Sequence, residues 1–142
     1  MMGLAPVKIN LQLVDDKVKF IGQSETNPDR PITFDYVPPL GSGDGYAGIE
    51  LLTMSFAGCV STAIVGLLKR QGKKVESYKM EITGHKSETP LSLESIEFSA
   101  TVSAAETTDQ ELAQILDLAE KISPVWMAIK GNVMVKGKIN SK

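Results

Sequence analysis

The run GIELLTMSFAGCVSTAIVGLLKRQG, from Gly48 to Gly72, constrains this chain more than any other stretch. It is the most apolar segment, and it carries the only cysteine, Cys59, near its middle. The run predicts one long helix from about Gly48 to Gln71. Gly72 suits the residue just past the cap, and Lys69 and Arg70 suit the negative end of the helix dipole. Apolar side chains fall on nearly every face, so the helix is expected to be buried all round. In 142 residues that requires wrapping by a sheet and a second helix, or by another subunit. A membrane span is the weaker reading: Ser, Thr, Gly and Cys dilute the run, and only 18 residues separate Glu50 from Lys69.

Period-two alternation flanks this helix. Val7 to Val14 alternates, Asp15-Asp16 makes a turn, and Val18, Phe20 and Gly22 continue as a hairpin partner. Ser24 to Arg30 is polar and holds Pro28, which reads as loop. Ile32, Phe34 and Tyr36 form a third strand stopped by Pro38-Pro39. After the helix, Lys73 to Gly84 and Leu93 to Ala104 alternate as strands joined by a polar loop, Lys86 to Ser92. Thr108 followed by Glu111 is a capping box, and Leu112, Ile115, Leu116, Leu118 and Ala119 give a second helix its apolar stripe. Pro124 ends or kinks that helix near Ile122-Ser123, with room for a further turn to Ile129, and Val133, Val135 and Gly137 open a final strand. The order is βββ-α-ββ-α-β. Strands grouped before and after the long helix place the chain in the α+β class, as a single domain spanning 1–142.

Composition narrows the functions. Fifteen basic and seventeen acidic side chains give a net charge of −2, with no block of five or more like charges, which argues against a nucleic-acid partner. One cysteine excludes an intrachain disulfide and a multi-cysteine zinc site, and fits a reducing, cytoplasmic setting. One histidine, one cysteine and scattered carboxylates are not a metal-ligand set. Pro6, Lys8, Asn10 and Gln12 interrupt any leader-like apolar run in MMGLAPVKINLQLV. The glycine-rich GSGDG invites a phosphate-loop reading, but no Lys-Ser or Lys-Thr follows and no buried parallel strand precedes it, so it reads as a connection, and no cofactor is called.

The residues themselves leave two readings of Cys59. A mid-helix thiol gains little from the helix dipole, so as a nucleophile it needs a cation or hydrogen-bond donors supplied from elsewhere. As a packing residue it needs nothing, since free cysteine is among the most buried residue types. His85, the only histidine, lies in a polar strand end, and no spacing places it beside Cys59. Ser55 and Ser61 read as helix-interior hydroxyls bonded back to their own helix.

Two segments resemble one family. IELLTMSFAGCVSTAIVGLLKRQGKKV is similar to the central helix of the OsmC/Ohr superfamily, where a P-x-E-L-L-x-A-x-x-G-C pattern opens a long run ending in a basic residue, Gly and Val. LAEKISPVWMAIKGNVMVKG resembles that family's second motif, A-E-K-x-C-P-V. With the matching element order, the resemblance covers nearly the whole chain. It implies a central helix wrapped by antiparallel sheets in an intertwined homodimer with two interface sites, and thiol-dependent reduction of organic or hydrogen peroxide. Cys59 matches the peroxidatic position.

The departures matter as much. Ser123 stands at the resolving position, where a serine cannot form the disulfide, so an external thiol or dithiol would have to resolve Cys59. Glu50 lies nine residues before Cys59, as in an E-L-L subgroup of the family; the best-known members have it at ten, where Ile49 stands. Nine residues turn an ideal helix about half a turn away, and Glu50 equally suits the positive end of the helix dipole. The resemblance also implies a thiolate-stabilising arginine from the N-terminal strands, where Arg30 is the one arginine present. Arg70 lies on the Cys59 face but roughly 16 Å along an ideal helix. Two functions are therefore carried forward: a one-cysteine peroxidase acting on small hydroperoxides, and a catalytically degenerate OsmC-fold dimer that binds a small ligand or is purely structural.

Overall fold

The computed structural model describes residues 4–142; the first three residues of the segment read above as no leader lie outside the described residues. In chain order the elements are β1 (Ile9–Leu13), β2 (Phe20–Ser24), β3 (Asn27–Phe34), α1 (Gly48–Arg70), β4 (Val75–Glu88), β5 (Leu91–Ala104), α2 (Asp109–Ile122), α3 (Pro124–Ile129) and β6 (Met134–Ser141). This is the expected α+β order, with the extra turn after Pro124 forming a helix of its own. The chain gathers into two compact units, one ending at Leu51 and the other running from Leu52 to Lys142.

In the first unit β1, β2 and β3 form an antiparallel sheet in that order. The β1–β2 turn is closed by the Asp15 carboxylate, whose Oδ1 accepts from the N–H of Lys17 at 2.9 Å and of Lys19 at 3.0 Å. The segment Ser24 to Arg30 is not the loop its composition suggested. Only a short turn separates β2 from β3, and β3 runs through Pro28 and Pro31. Proline is tolerated because β3 is an edge strand, and the register with β2 shifts between Gly22 and Ser24 beside it. On β1, Ile9, Leu11 and Leu13 are exposed.

The glycine-rich loop after β3 is folded around Asp35. This carboxylate is buried and accepts from the N–H of Tyr36 (2.8 Å), Ser42 (3.2 Å) and Asp44 (3.0 Å). The Asp44 N–H, helped by Tyr36 and Ser42 and opposed by burial, holds the Asp35 carboxyl below its ordinary value. Gly41 lies so close to the Tyr36 carbonyl and the Asp35 carboxylate that no Cβ fits there.

In the second unit the sheet order is β4-β5-β6. β4 and β5 form a long antiparallel hairpin from Val75↔Ala104 to Glu88↔Leu91. The polar stretch Lys86 to Ser92 thus belongs mostly to the strands, pairing Lys86 with Leu93 and Ser87 with Ser92. β6 pairs with β5 in parallel, from Ser95↔Met134 to Val102↔Ser141, so one pair departs from the expected antiparallel sheets. The cause is the connection: α2 and α3 carry the chain back across the sheet, as a parallel neighbour requires.

α1 ends as its sequence predicts. Gly72 has φ +80°, its N–H bonds the Lys69 carbonyl at 3.0 Å, and the Lys73 N–H bonds the Leu68 carbonyl at 3.0 Å, which is a Schellman motif. Burial of α1 is one-sided, not all round. Phe56, Val60, Ile64 and Leu68, four residues apart, are fully buried, each such side chain contributing roughly 1.5–3 kcal/mol. Leu52 and Met54 remain 37% and 50% exposed. By length and composition α1 could cross a membrane, with a mean hydropathy of 2.0, but here its Phe56, Val60, Ile64 and Leu68 stripe packs into the core.

Opposite the stripe lies the buried face of β5: Ile96, Phe98, Ala100 and Val102. Phe98, Phe56 and Trp126 form an aromatic cluster with centroid separations of 5.3–6.0 Å. α2 adds Leu112, Ile115 and Ala119. Its N-cap is Thr108, whose Oγ1 accepts from the Glu111 N–H at 3.1 Å, while the Glu111 carboxylate pairs with Lys73 at 2.9 Å.

Candidate active site at Cys59

Cys59 follows the buried Phe56 by three residues and precedes the buried Val60 by one, so its side chain sits at the edge of the packed stripe of α1 and is half-buried. The partner it meets is 64 residues away in sequence: the hydroxyl of Ser123 donates a hydrogen bond to the Cys59 sulfur at 3.2 Å.

The local sequence explains how Ser123 reaches that place. Proline at position 124 has no N–H and cannot continue α2, but it is suited to the first position of a new helix. Ser123 therefore joins two helices in an extended conformation, φ −78° and ψ 113°. Its N–H closes α2 on the Ala119 carbonyl at 2.9 Å, and its carbonyl opens α3 by accepting from the Met127 N–H at 3.0 Å. The residue is 0% exposed. A serine at a helix N-cap ordinarily accepts from the first turn, yet this side chain makes no capping bond to α3.

The other candidates lie elsewhere. Glu50 is exposed, and its Oε1 accepts from the Ala47 N–H at 3.0 Å, half of a capping box at the start of α1. Arg30 is exposed on β3 and Arg70 at the end of α1. His85 Nε2 is 3.7 Å from Glu97 Oε2 on the surface of the β4–β5 hairpin. Ser61 is not bonded back to its own helix: its Oγ is 2.8 Å from the Tyr78 hydroxyl and 3.9 Å from the Met80 sulfur. Burial pushes the Tyr78 phenol up, and the Ser61 hydrogen bond opposes this. It is Thr62 that back-bonds, to the Gly58 carbonyl at 2.8 Å. The amides of Ser42 and Asp44 in GSGDG are given to Asp35, which composition alone had not singled out. The available signal was a carboxylate just before a glycine-rich turn. A groove of about 570 Å³ lined by Asp117, Glu120, Trp126, Lys136 and Lys138 is separate from Cys59 and Ser123. Among the described residues no group of three or more His, Cys, Asp or Glu could hold a metal ion.

The model of the family described as OsmC-like protein matches residues 41–138, a span containing both Cys59 and Ser123. The chain belongs to the OsmC-like family. Solved structures share its fold. The OsmC-like protein of Mycoplasma pneumoniae has a TM-score of 0.81 at 16% identity, covering 96% of this chain and 97% of that one. An organic hydroperoxide resistance protein OsmC of Legionella pneumophila has a TM-score of 0.76 at 18% identity, covering 98% and 99%. An organic hydroperoxide resistance protein of Elizabethkingia anophelis has a TM-score of 0.70 at 20% identity, covering 100% of both. No curated protein matches the chain. In this OsmC-like chain Cys59 lies on the long helix α1, and Ser123 faces it from the junction of the two later helices.

Proposed function

We propose that this OsmC-like protein is a thiol-dependent peroxidase that reduces organic hydroperoxides or hydrogen peroxide through Cys59, with an external thiol or dithiol as resolver. The observation that carries the proposal is the setting of the Cys59 sulfur: half-buried at the edge of the core and hydrogen-bonded by a buried hydroxyl. The organic hydroperoxide resistance proteins that share the fold support it.

In the proposed cycle the Cys59 thiolate attacks the outer peroxide oxygen. The O–O bond breaks, its electron pair leaves on the alkoxide, which takes up a proton, and the sulfur is oxidised to sulfenic acid. An external thiol attacks that sulfur, releasing water and leaving a mixed disulfide. A second thiol then displaces Cys59, so two thiols become one disulfide while one peroxide becomes alcohol and water. No cofactor enters. Arg30 is kept as the candidate thiolate-stabilising cation and Glu50 as the candidate carboxylate, both on the family likeness.

The working unit is proposed to be a cytoplasmic homodimer of single-domain chains, with neither nucleic acid nor membrane as partner. Exposed Leu52 and Met54 on α1, and Ile9, Leu11 and Leu13 on β1, support a second copy. The serine at position 123 favours a second reading, an OsmC-fold dimer that binds a small ligand or is structural without turnover. Stopped-flow oxidation with cumene hydroperoxide, with dimedone trapping of the sulfenic acid, separates the two. Oxidation no faster than that of free cysteine sinks the peroxidase.

A further inference from the structure

The resemblance of the second motif implies a thiol where this chain has Ser123, and that difference alone reads as a loss. The geometry points to a gain: we infer that the Ser123 hydroxyl is a catalytic hydrogen-bond donor that holds and activates the Cys59 sulfur. The inference rests on the reading of Cys59 as the reacting thiol and deepens it.

Three observations carry it. The hydroxyl donates to the sulfur at 3.2 Å, within range for a sulfur acceptor. The serine is 0% exposed, so water does not compete for its hydroxyl and its geometry is set by packing. Ser123 also occupies the N-cap of α3 without making the cap bond that a serine normally makes there. Its backbone is already used on both sides, closing α2 through Ala119 and opening α3 through Met127. The side chain is thereby fixed between two helices, with its proton directed at Cys59. Among the described residues this is the one hydrogen bond made to that sulfur.

The chemistry follows from the donor count. A mid-helix thiolate receives little from the helix dipole, so a neighbouring donor is what favours the charged form. Ser123 keeps its proton throughout; it solvates the negative sulfur before attack and gives nothing to the leaving alkoxide, whose proton comes from water. A thiol at this position would instead condense with the sulfenic acid. The serine leaves that acid to be resolved by an external thiol, and the same replacement accounts for both features.

Ser123→Ala removes the hydroxyl at nearly constant volume. The rate of Cys59 alkylation by iodoacetamide is measured against pH, beside thermal unfolding. The expected result is a roughly tenfold slower reaction near neutrality in the variant, with the two rates converging at high pH. Ser123→Thr, which keeps the hydroxyl, retains the wild-type profile. A lowered unfolding temperature with an unmoved profile overturns the inference, because a purely structural serine behaves that way. If Ser123→Ala does not fold, NMR of the wild-type chain decides: the Ser123 Cβ signal shifts as Cys59 titrates, and a Ser123 signal unmoved through that titration overturns the inference. The two claims fail separately. A displaced alkylation profile in a protein that does not reduce cumene hydroperoxide sinks the peroxidase and keeps the donor. Fast peroxide oxidation that is the same in wild type and Ser123→Ala, with matching profiles, sinks the donor and keeps the peroxidase.

Discussion

The Ser123 hydroxyl and the Cys59 sulfur lie 3.2 Å apart, although 64 residues separate them in the chain. The bond joins the middle of α1 to the break between α2 and α3, and a second thiol at position 123 would stand within reach of the first.

Ser123→Cys is therefore expected to form an intramolecular disulfide with Cys59 under mild oxidant. Thiol titration should fall from two free thiols per chain to none, with no cross-linked dimer on a non-reducing gel. A disulfide that forms only between chains, or none at all, would show that the two positions do not face each other in solution.

A second prediction concerns Gly137 on β6. It pairs with Phe98 on β5, and the Phe98 ring lies over it where a Cβ would stand. The ring cannot easily retreat, because Phe56 and Trp126 pack it at centroid distances of 6.0 and 5.9 Å. Gly137→Ala is expected to cost roughly 1–3 kcal/mol by overpacking. Urea unfolding checks this. A midpoint equal to wild type would mean that the cluster repacks freely, and the close approach would then carry no stability.

The third prediction concerns acid. The Asp35 carboxyl is held below its ordinary value, chiefly by the Asp44 N–H, so its contribution is complete above the unfolded value of about 3.9. It is lost as pH falls through the lower folded value, when the protonated acid no longer accepts from all three amides. Protection of the Ser42 and Asp44 amides, taken as exchange relative to the intrinsic rate at each pH, should be high at neutral pH and fall in acid. Asp35→Asn should show low protection throughout, with the acid step gone. An Asn variant that keeps both the high protection and the acid step would remove Asp35 from the account.

Much of this was legible without coordinates, because the signals are local. Alternation in Lys73 to Gly84 and Leu93 to Ala104 marked the two long strands, and Thr108 with Glu111 marked the start of α2. Polar composition misled at both hairpin turns. Ser24 to Arg30 and Lys86 to Ser92 look like loops, but backbone pairing extends into them because ladder hydrogen bonds do not require apolar side chains. Ser61 was misread for a related reason: a helix-interior hydroxyl can bond its own carbonyl, and only the arrival of Tyr78 from β4 decides otherwise.

By itself the sequence determined the long helix and its stop at Gly72, and the strand–helix order. These rest on periodicity, caps and residue identity, all readable within a few turns of chain. Tertiary structure alone decided which face of α1 is buried, that β6 runs parallel to β5, that Phe98 closes over Gly137, and that the Ser123 proton is aimed at the Cys59 sulfur. Each of these is a meeting between residues far apart in the chain. Such meetings are selected by the packing of whole elements against one another, which no local spacing encodes.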